Sequence, residues 1–265
     1  MKKILMILVL LLVVGGGAFF FIKNKSNANP EPETTQKKRI SEPVNVIPVS
    51  ERPYMSIDPL ADGHNVNITI HSLNKPAQSA EYELEYQAGS LLQGAFGSLT
   101  MGTLPQSTKI LMGSCSAGGA CTYHEDVQGG TLLVRFDGEE VYALKSDWKY
   151  LDNLAKNDQI SSRDAKFQLS SPSLTKQRFI IVYNSPGYPQ APQGEVVSDV
   201  YALSTPGVLN GVGELTMRAN FDSPDLKIAG WNGQTWQYFS GQVEDKMITA
   251  EVDLLELYTV VSQAS

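Results

Sequence analysis

Residues 81–86 read Glu81-Tyr82-Glu83-Leu84-Glu85-Tyr86, and this alternation decides the class of fold. In an extended chain Tyr82, Leu84 and Tyr86 fall on one side and the three glutamates on the other. That is the pattern of an antiparallel strand with one buried and one wet face. Upstream, residues 65–71 repeat it, with Val66, Ile68 and Ile70 opposite Asn65, Asn67, Thr69 and His71. Downstream, further strands are expected over residues 97–104, 108–113, 121–127, 131–136 and 141–145, with Asp137-Gly138 as a hairpin turn. This density of short strands over residues 53–150 fits one sandwich.

Residues 151–165 break the pattern with a polar stretch that reads as a linker. A second strand series follows at 166–170, 178–184, 196–203, 214–220, 226–231, 235–240, 246–252 and 256–262. Turn-rich pieces separate these strands, including Ser185-Pro186-Gly187-Tyr188-Pro189 and Thr205-Pro206-Gly207. No segment after residue 25 carries a helical apolar period over three turns. The expected fold class is all-β: an N-terminal transmembrane helix plus two immunoglobulin-like antiparallel β-sandwich modules, residues 53–150 and 166–265.

The second series also carries a resemblance. Ser198-Asp199-Val200-Tyr201-Ala202-Leu203, Glu214-Leu215-Thr216-Met217, the stretch from Leu226 through Trp231 to Trp236, and the terminal Ile248–Val252 and Leu257–Val261 pieces resemble a β-sandwich module of bacterial cell-surface proteins. Such modules close with a Trp-containing hairpin and two last strands. The resemblance covers residues 198–262 and implies a structural or spacer role. Some related modules cleave their own chain at a His-Phe-Ser-type site. Here Asp253-Leu254-Leu255-Glu256 stands in that place, so self-cleavage is not implied.

The N-terminus sets the expected location. Ile4 to Ile22 is an uncharged run flanked by Lys2-Lys3 and Lys23, and a helix of that length reaches roughly 28 Å, close to a bilayer's hydrocarbon thickness. Gly16 and Ala18 offer a signal-peptidase-like pair, but cleavage there would leave Phe19-Phe20-Phe21-Ile22 as an apolar stub. Residues 1–25 are therefore expected to be an uncleaved membrane anchor, with the membrane as partner through residues 4–22. Lysines and arginines lie on both sides, so charge leaves the orientation open. Residues 26–52, with Pro30, Pro32, Pro43 and Pro48, read as a proline-rich tether.

Beyond residue 42 the chain carries 14 Lys and Arg against 25 Asp and Glu, from 21 − 7 and 28 − 3. A net charge of −11 there argues against nucleic acid, which needs clustered cations. The two cysteines, Cys115 and Cys121, flank Ser116-Ala117-Gly118-Gly119-Ala120. Facing residues of a hairpin lie within disulfide reach, and disulfides persist in oxidising compartments. The pair therefore supports an extracytoplasmic C-terminal part.

Chemical readings of these residues compete with the disulfide. A metal site from Cys115, Cys121 and His124 lacks a fourth ligand, and alternation puts Cys121 and His124 on opposite faces. A nucleophile elbow around Ser114-Cys115-Ser116 lacks the helix that such a turn feeds. A membrane anchor, a β domain and a His–Cys–Arg order resemble a sortase, with His64 or His71, Cys121 and Arg135 as candidates. The Thr-Leu-x-Thr-Cys type of motif is missing, however, and a second cysteine stands beside the first. Asp58 and Asp62 could clip a calcium ion by ligand type, without ordered spacing. No catalytic residue, metal ligand or cofactor is assigned.

Trp231 and Trp236 are the candidate binding aromatics. Asn232-Gly233 predicts a two-residue turn, pairing Trp231 with Gln234, Gly230 with Thr235 and Ala229 with Trp236, so that both indoles share one face. That pair could line a sugar site, but the expectation is that it packs on the second module's core. The functional expectation is a membrane-tethered envelope protein with a scaffold role. Binding of an envelope protein or a glycan is the alternative class, and a sortase-like transpeptidase the enzymatic one.

Overall fold

The strand Phe179–Asn184 organises the architecture. Its sequence, Phe-Ile-Ile-Val-Tyr-Asn, is apolar on both sides of the pleat. Ile180 and Val182 enter one core while Ile181 and Tyr183 enter another. A strand with two apolar faces needs cover on both, and the chain supplies it with a second and a third sheet. The computed structural model describes residues 39–262, and from Ile40 onward they form one compact unit.

The middle layer is a ten-stranded antiparallel sheet. Its order is Trp236–Ser240, Leu226–Trp231, Leu257–Ser262, Tyr201–Ser204, Phe179–Asn184, Tyr142–Asp152, Val127–Asp137, Ser79–Ala88 and Leu91–Thr100, with Glu195–Val196 added beside Leu257–Ser262. A small sheet of Tyr54–Pro59, Asn65–Ser72 and Gln106–Leu111 covers one face. Met55, Ile57, Val66, Ile68 and Ile70 meet Tyr82, Leu84, Tyr86 and Trp148 there. An outer sheet of Gln159–Ser161, Phe167–Ser170, Val212–Arg218, Met247–Asp253 and Gln242–Glu244 covers the other. It buries Phe167, Leu215, Met217 and Ile248 against Tyr201, Ile228 and Tyr258.

The fold is thus all-β with sandwich-like antiparallel sheets, and one sheet runs on across the expected boundary between two modules. Tyr142–Asp152 does not close a module at residue 150: Lys149, Tyr150 and Leu151 pair directly with Val182, Ile181 and Ile180. Within the expected linker 151–165, Gln159–Ser161 is a strand of the outer sheet. There are two cores, but they lie on opposite faces of one shared sheet.

The expected tether 26–52 is also corrected over its second half. Asn45 donates its backbone N–H to Ala143, and its side-chain amide exchanges two 3.0 Å hydrogen bonds with the backbone of Lys145. It occupies the stretch of Tyr142–Asp152 that lies short of the pairing with Phe179–Asn184. Arg52 ties the segment down through the carbonyls of Asn45 and Ile47, both at 2.8 Å. Ile47 and Val49 pack against the first core. The expected anchor, residues 4–22, lies outside the described residues. Among those described, no helix is long and apolar enough to cross a membrane.

Candidate functional site

Tyr54–Pro59 is the edge strand of the small sheet, and alternation turns Met55 and Ile57 into the core. Tyr54, Ser56 and Asp58 therefore share the other side, where a cleft of about 500 Å³ opens. The opposite wall is Ser204 at the end of Tyr201–Ser204, with Thr205, Val208 and Leu209 after it. Leu254, Leu255 and Glu256, in the turn before Leu257–Ser262, complete the enclosure together with Asn232. The cleft thus draws on chain from both halves of the sequence.

One ordered polar chain runs along this site. Ser56 donates to Asp58 Oδ2 at 2.6 Å, and Ser204 donates to Asp58 Oδ1 at 2.6 Å. His71 Nε2 lies 2.9 Å from Ser56 Oγ. Because the Ser56 proton is committed to a carboxylate, His71 must donate through Nε2, which leaves Nδ1 as an acceptor in the neutral ring. His71 is the extra residue of a β-bulge: Tyr54 pairs with Ser72 and Met55 with Ile70, leaving His71 unopposed. The bulge aims the ring at Ser56, and the Tyr54 ring stacks on it at 4.7 Å.

Burial sets the electrostatics. It lowers the pKa of His71 below its ordinary value, against the opposing charge of Asp58. Burial, then the charges of Glu256 and Asp58, raise the Tyr54 phenol well above its usual value. Although Glu256 is exposed as a residue, burial of its carboxyl, and after it the charge of Asp58, raises its pKa. Tyr183, fully buried, is pushed far up by burial first and donates to the Met55 carbonyl at 3.3 Å. This is an acceptor-rich pocket. It is not a nucleophilic triad, in which histidine stands between serine and carboxylate; here the serine stands between them.

Cys115 and Cys121 are bonded to each other and face one another in a two-stranded ribbon, Gly113–Cys115 with Cys121–Tyr123. The bond removes the thiols on which both the metal and the transpeptidase readings depend. The other candidates do not assemble around Cys121. His64 stacks on Tyr123 at 3.9 Å, while His71 lies in the cleft. Arg135 is held by Glu42 at 2.7 Å, with Glu81 and Asp137 nearby. His124 Nδ1 bonds the Tyr86 hydroxyl at 2.9 Å. Asp62 caps its own turn: burial raises its pKa, but bonds from the His64 and Asn65 backbone and the Asn65 amide outweigh this and lower it. Asp58 points elsewhere, to Ser56 and Ser204.

The Trp hairpin differs in register from the expectation. Trp231 pairs with Trp236 and Gly230 with Gln237, across the loop Asn232–Thr235. Asn232 Oδ1 accepts from the N–H groups of Gln234 and Thr235 at 2.9 and 2.8 Å. This side-chain bridge holds a wider loop than a two-residue turn, with Gly233 at φ +92°. The indoles still share a face, 5.5 Å apart and edge to face. That face is the first core's, not the second's: Trp231 is 6% exposed there, and Trp236 packs beside it. Trp236 Nε1 donates to the Gln190 carbonyl at 2.7 Å. The reverse face is no polar surface, because Ile228 and Phe239 serve the second core.

Sequence reasoning singled out Asp58 and His71 but missed Tyr54, Ser56, Ser204 and Glu256. The alternation Tyr54-Met55-Ser56-Ile57-Asp58 was the available signal for the first two. Nothing local links them to Ser204 or Glu256. No protein-family model matches the chain, and neither a curated protein nor a solved structure is measurably similar to it.

Proposed function

We propose that this chain is a membrane-tethered, extracytoplasmic envelope protein whose rigid β body presents the Asp58 cleft as a binding site. The uncharged run 4–22 supports the tether, and the Cys115–Cys121 bond supports an oxidising compartment. Placement in the envelope follows from the resemblance of residues 198–262 to bacterial surface modules.

The observation that carries the binding reading is the hydroxyl–carboxylate chain Ser56–Asp58–Ser204, which joins two sheets at the wall of an open cleft. A cleft of this size is in the range of small-ligand sites, and its polar groups are already fixed in position. Binding needs that pre-organisation; hydrolysis would need an activated nucleophile as well, and Ser56 is not one. A scaffold role is the second reading, favoured by the continuous middle sheet with a core on each face.

Probing the full chain against a panel of peptides, amines and neutral glycans tests the choice. A Glu256→Arg variant that keeps the wild-type circular dichroism should lose every ligand the wild type takes. Undiminished binding by that variant would place the ligand elsewhere. Absence of any binder would leave the scaffold role alone.

A further inference from the structure

The charges in the cleft are one-sided. Asp58 and Glu256 line it, and no lysine or arginine does. None of the ion pairs among the described residues involves either carboxylate. The remaining polar wall also offers acceptors. Asp58 receives two hydroxyl protons and retains free lone pairs, and His71 keeps Nδ1 as an acceptor. Of the other hydroxyls lining it, Thr205 is spent on the Gly207 carbonyl and Tyr183 on Met55, which leaves the Tyr54 phenol as a donor beside these acceptors.

A ligand that answers such a wall brings positive charge and several N–H donors. A bare divalent ion is a poor fit, because no group of three or more His, Cys, Asp or Glu with ligating geometry occurs among the described residues. The cleft is also far larger than an ion needs. Part of its wall is apolar: Leu254 is buried, Leu255 and Leu209 are half-buried, and Val208 is 77% exposed. Carboxylates beside an aliphatic wall match a charged head on a short alkyl stem.

We infer that the cleft binds an alkyl ammonium or guanidinium group, the head between Asp58 and Glu256 and the stem against Leu209, Leu254 and Leu255. This rests on reading the cleft as the binding site. The same chemistry is carried by a lysine or arginine side chain of a partner polypeptide and by a free diamine or guanidine. Burial first, and then the charge of Asp58, raises the Glu256 pKa, and an entering cation relieves the second of these.

Ligand-observed NMR on the full chain in non-ionic detergent tests this with agmatine and Nα-acetyl-arginine amide, beside cellotetraose and glutarate as neutral and anionic controls. Both cations should give saturable signals that weaken as salt is raised. Glu256→Gln should weaken them roughly tenfold, the loss of one charge-assisted contact. Glu251→Gln, on the outer sheet, should change nothing. Tighter binding of the blocked arginine would identify a polypeptide source, and tighter binding of agmatine a free amine. No saturable signal from either cation, or equal effects of the two substitutions, overturns the proposal. If cellotetraose or glutarate binds in a Glu256-dependent way and the cations do not, the binding site stands and the cation assignment falls.

Discussion

Glu256 shows how one side chain carries two roles. A carboxyl whose folded pKa is raised holds its proton more tightly folded than unfolded, so when ionised it costs stability. That cost fades as pH falls through the folded pKa toward the ordinary 4.5. Glu256→Gln should therefore melt above the wild type at pH 7, with the gap closing below about pH 4.5. Thermal melts at several pH values check this; a gap that stays constant with pH would mean that the carboxyl is not perturbed. His71 slopes the opposite way: a lowered pKa means that stability is lost as pH falls below 6.5. At the Trp pair the two residues should part company. Trp231→Ala, in the core, should cost about 3–5 kcal/mol. Trp236→Phe, which loses mainly the bond to Gln190, should cost about 1 kcal/mol. Chemical denaturation separates them, and equal losses would contradict the burial difference.

Among the elements, those with a strict two-residue period were legible from sequence. Ser79–Ala88 and Asn65–Ser72 declare themselves through Tyr82, Leu84 and Tyr86 and through Val66, Ile68 and Ile70. The disulfide ribbon was legible because two cysteines bracket small residues. Residues 91–96, the start of Leu91–Thr100, were not read, since Leu91-Leu92 and Gly94 break alternation on an edge strand with little to bury. The Trp hairpin register was missed because the Asn232 side chain, not the dipeptide Asn-Gly, sets the loop length. For the ribbon, Cys121→Ser should remove about 1–3 kcal/mol and leave the fold intact. Hydrogen exchange should quicken in residues 113–123 alone; quickening in Ser79–Ala88 would show that the ribbon supports the core. Thiol labelling of the unfolded, unreduced chain should modify neither cysteine.

At the scale of the whole molecule, the sequence announced two apolar sets but not that they share a sheet. The clue was Phe179–Asn184, apolar on both faces. A short apolar run does not by itself say which sheets will cover it. The cleft inherits that difficulty, because Asp58 and Ser204 meet only when the small sheet is laid on the large one. Its existence therefore depends on the two halves of the chain folding as one body. Producing residues 40–155 and 156–265 as separate chains tests this directly. The cut severs the pairing of Tyr142–Asp152 with Phe179–Asn184, strips the first core of Ile181, Tyr183, Trp231 and Leu257 and exposes these in the second piece, so neither should show a cooperative unfolding transition. The intact chain should unfold in a single step, with tryptophan fluorescence and far-ultraviolet circular dichroism coinciding. Two halves that each melt cooperatively, with Asp58 and Ser204 on independent domains, would contradict the shared sheet and the cleft built on it.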